Sequence, residues 1–239
     1  GVPGRFTCTG AACTAETTNA GALTLEGDWS FVPGTTNVSV AGAQEDADYL
    51  DFGYWVEWDA DGGAGGSQAY TVEAFFKGRD PHDAVGSAEG TASYGGKAVG
   101  LYARQVYEGS TLLDDRSGRF TADVALKAYF GGGAVAPDDQ NSIGGTITGF
   151  MDGGEAIDSG WSVTLNRIGG ASGSGGFSGG EFSGGTTAGG GAAGAWSGAF
   201  FGDHEPVNNV TPQPGSVAGE FTAGFHNGDV VGAFGARKQ

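Results

Sequence analysis

The chain has 239 residues, 50 of them Gly, and its 28 acidic against 11 basic side chains give a net charge of −17. A field this negative repels nucleic acid and anionic lipid alike, so neither is a general partner, and no apolar window reaches the roughly eighteen residues that a membrane-spanning helix needs. Gly follows no three-residue period and Pro numbers only 7, which excludes collagen, while 38% apolar residues and 15 Phe are enough to bury a core.

Aromatic and β-branched residues stand in short alternating runs rather than at helical spacing, so the chain reads as all-β. It opens on Gly1-Val2-Pro3, with no initiator Met and no charged-then-apolar leader, and reads as a mature form, a proteolytic product or an excised segment. Cys8 and Cys13 lie in a stretch of small residues that can fold back on itself, with no other Cys to compete. A local disulfide between them is expected, pinning one turn or hairpin and adding about 2 kcal/mol by loop entropy. Zinc is the competing reading, but two Cys with no His nearby leave a four-ligand site incomplete. Acidic composition with oxidised Cys fits an export compartment, hence a secreted or surface protein.

In chain order, the first clear strand is 48–58, where Leu50, Phe52, Tyr54, Val56 and Trp58 share one face and Asp51, Gly53, Trp55 and Glu57 the other. After the loop 59–67 comes Tyr70–Phe76, and the two make a long hairpin. Arg79-Asp80-Pro81-His82-Asp83 breaks the pattern, which sets residues 1–84 apart as one unit and 85–239 as a second.

The second unit is a succession of strands separated by Gly, Asn and Asp turns. Alternation is strongest over 120–130, where Phe120, Ala122, Val124, Leu126, Ala128 and Phe130 face one way. Further strands are predicted at 87–94, 98–106, 143–150, 161–167, 194–201, 216–226 and 229–237, with a short one around Phe177–Phe182 inside the Gly/Ser tract 169–194. Asn227-Gly228 suits a two-residue hairpin turn between the last two. Eight or nine short antiparallel strands imply closure: a barrel hides the edges, and interior Gly and Ala leave room for Trp161 and Trp196.

Three blocks of the second unit, 90–102, 118–124 and 144–150, and above all the series Gly194-Ala195-Trp196-Ser197-Gly198-Ala199-Phe200-Phe201-Gly202, 217–223 and 230–236, carry a family likeness. Over about 87–237 the chain resembles the β-barrel domain of transferrin-binding protein B and its relatives, surface lipoproteins of Gram-negative bacteria that include factor H-binding and haem-scavenging proteins. The resemblance implies an antiparallel barrel of eight or nine strands, preceded by an antiparallel "handle" sheet. It also implies exposure at the outer-membrane cell surface or release from it, and binding of a host protein, haem or another ligand through loops.

Catalytic signatures are lacking: the three His (His82, His204, His226) stand isolated near turns, where surface or turn His is the ordinary reading, and the Gly-rich tract carries no P-loop Lys. Asp59-Ala60-Asp61-Gly62 has the alternating carboxylates of a calcium-loop start, and 138–141 is a second oxygen-rich loop, but neither is followed by the spaced acidic ligand of a full site. Solvated hairpin tips are the plainer reading of both. Calcium, through Asp59 and Asp61, is the cofactor these loops would accept, and haem is the one the resemblance implies, held by one of the three His, a Tyr or the Met. Trp55, on the polar face of its strand, is a candidate contact residue unless the barrel or another strand covers that face. The expectation is a non-enzymatic extracellular binding module. The alternative is a structural subunit of a surface fibre or matrix, or a module of a larger adhesin, that self-assembles by strand sharing.

Overall fold

The structure is a computed structural model. It describes residues 5–9, 12–16, 28–33, 50–58, 70–78 and 80–239, the last apart from 84, 132–134, 171–175, 178, 190, 192 and 203–210. Strands β1 (Arg5–Thr9) and β2 (Ala12–Glu16) form a hairpin. Strands β3 (Asp28–Pro33), β4 (Leu50–Trp58) and β5 (Tyr70–Gly78) form an antiparallel sheet in that order. The remaining strands are β6 (Thr91–Glu108), β7 (Thr111–Tyr129), β8 (Ser142–Asp152), β9 (Glu155–Ala156), β10 (Ser162–Ile168), β11 (Glu181–Ala188), β12 (Gly194–Phe201), β13 (Ser216–Phe225) and β14 (Gly228–Lys238). Each pairs antiparallel with its neighbour, β14 returns to β6 and β10 pairs with β8, so eight strands close into a barrel and the two-residue β9 stands outside it. The described residues contain no α-helix, only two short 3-10 turns.

Alternation decides the faces. Phe120, Ala122, Val124, Leu126, Ala128 and Phe130 are all buried inside the barrel, as their period predicts, and Trp161 and Trp196 join them. The rings fill the interior in contact with one another: Trp161 stacks on Phe225 with centroids 4.2 Å apart, Phe120 lies 5.1 Å from Phe150, and Phe182 lies 5.0 Å from Trp196. Glycines on neighbouring strands make the room. A Cβ on Gly219 would fall 2.6 Å from the Phe234 ring, and one on Gly100 or Gly232 would fall 2.7 or 2.8 Å from the Phe120 ring.

A second core lies outside the barrel wall. Leu50, Phe52 and Tyr54 of β4 pack on Val99, Phe201, Ala218 and Ala233, so β13 and β14 are covered on both faces. Gly235 lets Phe52 approach, since a Cβ there would fall 2.5 Å from its ring. The Tyr54 hydroxyl ends in this interface with no hydrogen-bond partner. Burial pushes it up to about 12, eased by Arg119 and reinforced by Asp152.

Some boundaries differ from the sequence expectation. The predicted strands 87–94 and 98–106 are one strand, β6, because Gly95 and Gly96 continue the pleat rather than turn it. The strand predicted around Phe177–Phe182 begins only at Glu181, after Gly179 and Gly180 take positive φ of 70° and 84°. The last hairpin turns on His226-Asn227, with Gly228 already paired to Phe225, and neither Asn227 nor Gly228 has positive φ. Gly149, at φ 68°, instead occupies the bulge that offsets β7 from β8.

Two outcomes test this packing. Gly219→Ala should destabilise the protein by about 1–3 kcal/mol through overpacking against Phe234 and the Ser197 carbonyl, whereas Gly86→Ala, with open space around it, should be nearly neutral in the same urea titration. Tyr54→Phe should raise stability at neutral pH by about 1 kcal/mol by removing an unpaired buried hydroxyl. A raised tyrosine contributes stability that is complete below its ordinary value near 10 and is lost as pH rises through about 12, so unfolding curves from pH 9 to 12 should show a smaller alkaline loss in Tyr54→Phe than in the parent.

Candidate functional site

Strands β6 and β7 are far longer than the barrel needs. The β14 ladder leaves β6 at Arg104↔Gly228, and the β8 ladder reaches β7 only at Thr121↔Met151. Between these points the two strands pair only with each other, through Gln105↔Asp115 to Glu108↔Thr111, and turn at Gly109-Ser110 with Gly109 at φ 61°. The result is a two-stranded arm that projects beyond one end of the barrel.

Near the arm's tip the register jumps from Val106↔Asp114 to Tyr107↔Leu112, leaving Leu113 as an extra residue. A bulge of this kind re-aims the side chain it carries. Leu113 is 58% exposed and Tyr107 55% exposed, and they are the exposed large hydrophobic residues among the described part of the chain. Glu108, next to Tyr107 in the chain, is also exposed. Two large apolar side chains held in water at the end of a projection are the kind of feature that a partner covers.

A polar cluster sits at the arm's base. Asp158 accepts hydrogen bonds from Arg104 Nε and an Arg104 terminal nitrogen at 3.3 and 3.2 Å, from Asn227 Nδ2 at 3.1 Å and from Gly160 N at 2.9 Å. Asn227 Oδ1 accepts the indole N–H of Trp161 at 2.9 Å, and the Asn227 carbonyl accepts Gln105 N–H at 2.8 Å. Burial pushes the Asp158 carboxyl up, but the bonds from Gly160, Asn227 and Arg104 outweigh it, and the group lies below its ordinary range. Nearby, the Tyr102 hydroxyl donates to Asp152 at 2.9 Å, and burial together with this bond holds it above the usual phenol range. On the outer wall at the same end, an open groove of about 350 Å³ is lined by Leu101, Val231, Thr222, Asp229 and Ala193.

The residues singled out from sequence fall elsewhere. Trp55 stands opposite Phe31 and Glu73 in the ladder, but its side chain lies outside the described residues, as do Asp59 and Asp61 altogether. The register sets Cys8 directly opposite Cys13. His82 departs from the expectation of a surface or turn histidine: it is fully buried, its main-chain N–H donating to the Phe200 carbonyl at 3.0 Å and Nε2 3.0 Å from the Pro212 carbonyl. His226 lies in the last hairpin turn, and His204 is outside the described residues. In the second oxygen-rich loop Asp139 is paired with Arg167 at 2.7 Å. Among the described residues no group of three or more His, Cys, Asp or Glu could hold a metal ion. No helix of the described chain is long and apolar enough to cross a membrane.

Sequence pointed only indirectly to the arm. Its signal was Gly109-Ser110 between two polar strands with Tyr107, Leu112 and Leu113 inserted, a hairpin pattern with apolar residues on no consistent face.

Fold and site together define an all-β protein whose closed barrel carries an external sheet and a projecting arm. No protein-family profile matches the chain, and no curated protein is similar to it. Among solved structures it is similar to the apo haemoglobin receptor HpuA from Kingella denitrificans, at 19% identity over 90% of this chain and 63% of that one, with a TM-score of 0.47. It is similar to the same receptor in complex with human haemoglobin, at 18% identity over 84% and 59%, TM-score 0.42. A third is intact Ap-TbpB with its N and C lobes, at 15% identity over 91% and 39%, TM-score 0.34. The chain therefore spans less than two thirds of the length of each.

Since Cys8 and Cys13 are cross-strand partners, a disulfide between them is the expected outcome of oxidation. Titration of the unfolded, unreduced protein with a thiol reagent should find no reactive thiol, and two after reduction; two before reduction would rule the bond out.

Proposed function

We propose that this chain is a non-enzymatic binding module exposed at, or released from, a bacterial cell surface, and that the β6–β7 arm is its principal contact with an extracellular protein. The observation that carries this reading is the exposure of Tyr107 and Leu113 on a projection that nothing in the described fold requires. The barrel interior supports it from the other side: rings in mutual contact occupy the space where a barrel of this strand number would otherwise hold a small ligand, so cargo has to be met outside. The exposed Glu108 beside Tyr107 and a net charge of −17 match a partner whose apolar pocket is rimmed by Lys and Arg.

In this reading residues 1–84 form the handle-like unit and 85–239 the barrel, with the disulfide stiffening the first hairpin and Trp55 offering a secondary contact. Calcium at Asp59 and Asp61, or haem carried by the partner, would be an accessory. One observation favours the structural alternative: β5, nine residues long, has β4 as its only ladder partner among the described residues and offers an edge for strand addition.

Binding should be measured by biolayer interferometry against human haemoglobin, free haem and a panel of purified plasma proteins. For the protein that binds, Tyr107→Ala with Leu113→Ser should weaken affinity by about tenfold or more at unchanged thermal midpoint, the scale expected of two central apolar anchors. Unaltered affinity in that variant would remove the arm from the interface. Concentration-dependent growth to oligomers by light scattering, abolished by a charge on the β5 edge, would favour the structural alternative.

A further inference from the structure

The polar cluster beneath the arm is not accounted for by the barrel's own needs. Closure at this end is already supplied by rings: Trp161 stacks on Phe225 and meets Phe150 and Tyr102 edge-on at 6.1 and 6.2 Å. Asp158 adds something different. It lies on the loop between β9 and β10, yet three of the four bonds it accepts come from other elements, two from Arg104 and one from Asn227.

Arg104 is the last β6 residue paired to β14, so it is the hinge residue between the barrel-bound part of the strand and the arm. Asn227 sits in the β13–β14 turn and is held by three bonds. Its amide nitrogen donates to Asp158, its amide oxygen accepts from Trp161, and its main-chain carbonyl takes the first arm amide, Gln105 N–H. The Arg104–Asp158 pair is mostly sheltered, with side-chain exposures of 18% and 22%, so solvent and salt screen it less than they would a surface pair. Without these struts, a two-stranded ribbon with open edges would be free to swing and fray from Arg104 outward.

We propose that Asp158 is a positioning residue for the arm: by holding Arg104 and Asn227 together it fixes the direction in which the β6–β7 ribbon leaves the barrel and so pre-organises Tyr107 and Leu113. This rests on the arm being the contact surface, but its mechanical part stands without any partner. Asn227 fits the same role. Its turn does not use the positive φ for which Asn is favoured in tight hairpins, whereas its side chain and carbonyl carry three of the bonds at the base.

Hydrogen exchange of the full chain, read by mass spectrometry at peptide resolution, tests it. In Asp158→Ala and Asn227→Ala, amides of 105–116 should exchange roughly tenfold faster, the scale of one charge-assisted bond, while amides of β7 from Val124 to Leu126 and of β13 around Phe221 keep their protection. Asp158→Asn, which keeps the shape and loses the charge, should give a smaller change in the same segment and guards against a misfolded alanine variant. Equal acceleration across the barrel, or none in the arm, would overturn the assignment. If the arm loosens in Asp158→Asn but affinity for the partner is unchanged, the positioning role stands and the binding role of the arm is what fails.

Discussion

The steric match between aromatic rings and glycines on adjacent strands sets the rest of the structure. Several inward-facing rings need more space than one strand spacing supplies, and a neighbouring inward position gives it up by being Gly: Phe234 over Gly219, Phe182 over Gly198, Phe120 over Gly100 and Gly232. This explains how a chain with a fifth of its residues as Gly holds a rigid fold. A strand interior normally loses stability at Gly, because the unfolded backbone is freer there. At Gly100, Gly198, Gly219 and Gly232 the loss is offset by buried rings, each worth on the order of 1.5–3 kcal/mol. Barrel and rings are mutually dependent, and removing either set would leave voids or clashes.

That dependence also fixes where the external sheet sits. Strands β13 and β14 present Ala218, Ala233 and Gly235 outward, residues too small to cover the wall by themselves. Leu50, Phe52 and Tyr54 complete it from β4. One wall therefore separates two cores, and β4 contributes to the barrel's stability without joining its ladder. The Tyr54 hydroxyl, buried without a partner, is the place where the match is least complete.

Much of this was legible because side-chain alternation is a local property. The strand of Phe120 to Phe130, the strand of Leu50 to Tyr54, the inward placement of Trp161 and Trp196 and the eight-stranded closure all follow from period-two patterns and turn residues. What was not legible depends on register. Asn227-Gly228 marks a turn correctly but not its phase, since the turn is placed one residue earlier by pairing that starts at Gly228. Leu113 is exposed at a bulge in the ladder, and the bulge is a register feature that no local pattern shows. His82 looked like a turn histidine and is buried because Pro81 bridges to Phe201 and the chain from 211 onward folds over it. The Asp158 cluster joins residues 54 and 69 positions apart, and no spacing rule connects them.

A filled barrel constrains function as strongly as it constrains folding. Barrels that enclose a ligand spare interior volume for it; this one uses the volume for Phe120, Phe150, Phe221, Trp196 and Phe234, so the proposed binding role falls to the rim. At the rim, loops are costly to hold in one shape, because each ordered residue loses backbone entropy. Extending two barrel strands into an arm solves this in part, since the ladder continues to order the ribbon. The remaining freedom is the angle at its base, and that angle is set where Arg104, Asn227 and Asp158 meet. Rigidity inherited from the barrel is thereby carried to the apolar tip, so the proposed contact would need less ordering on binding.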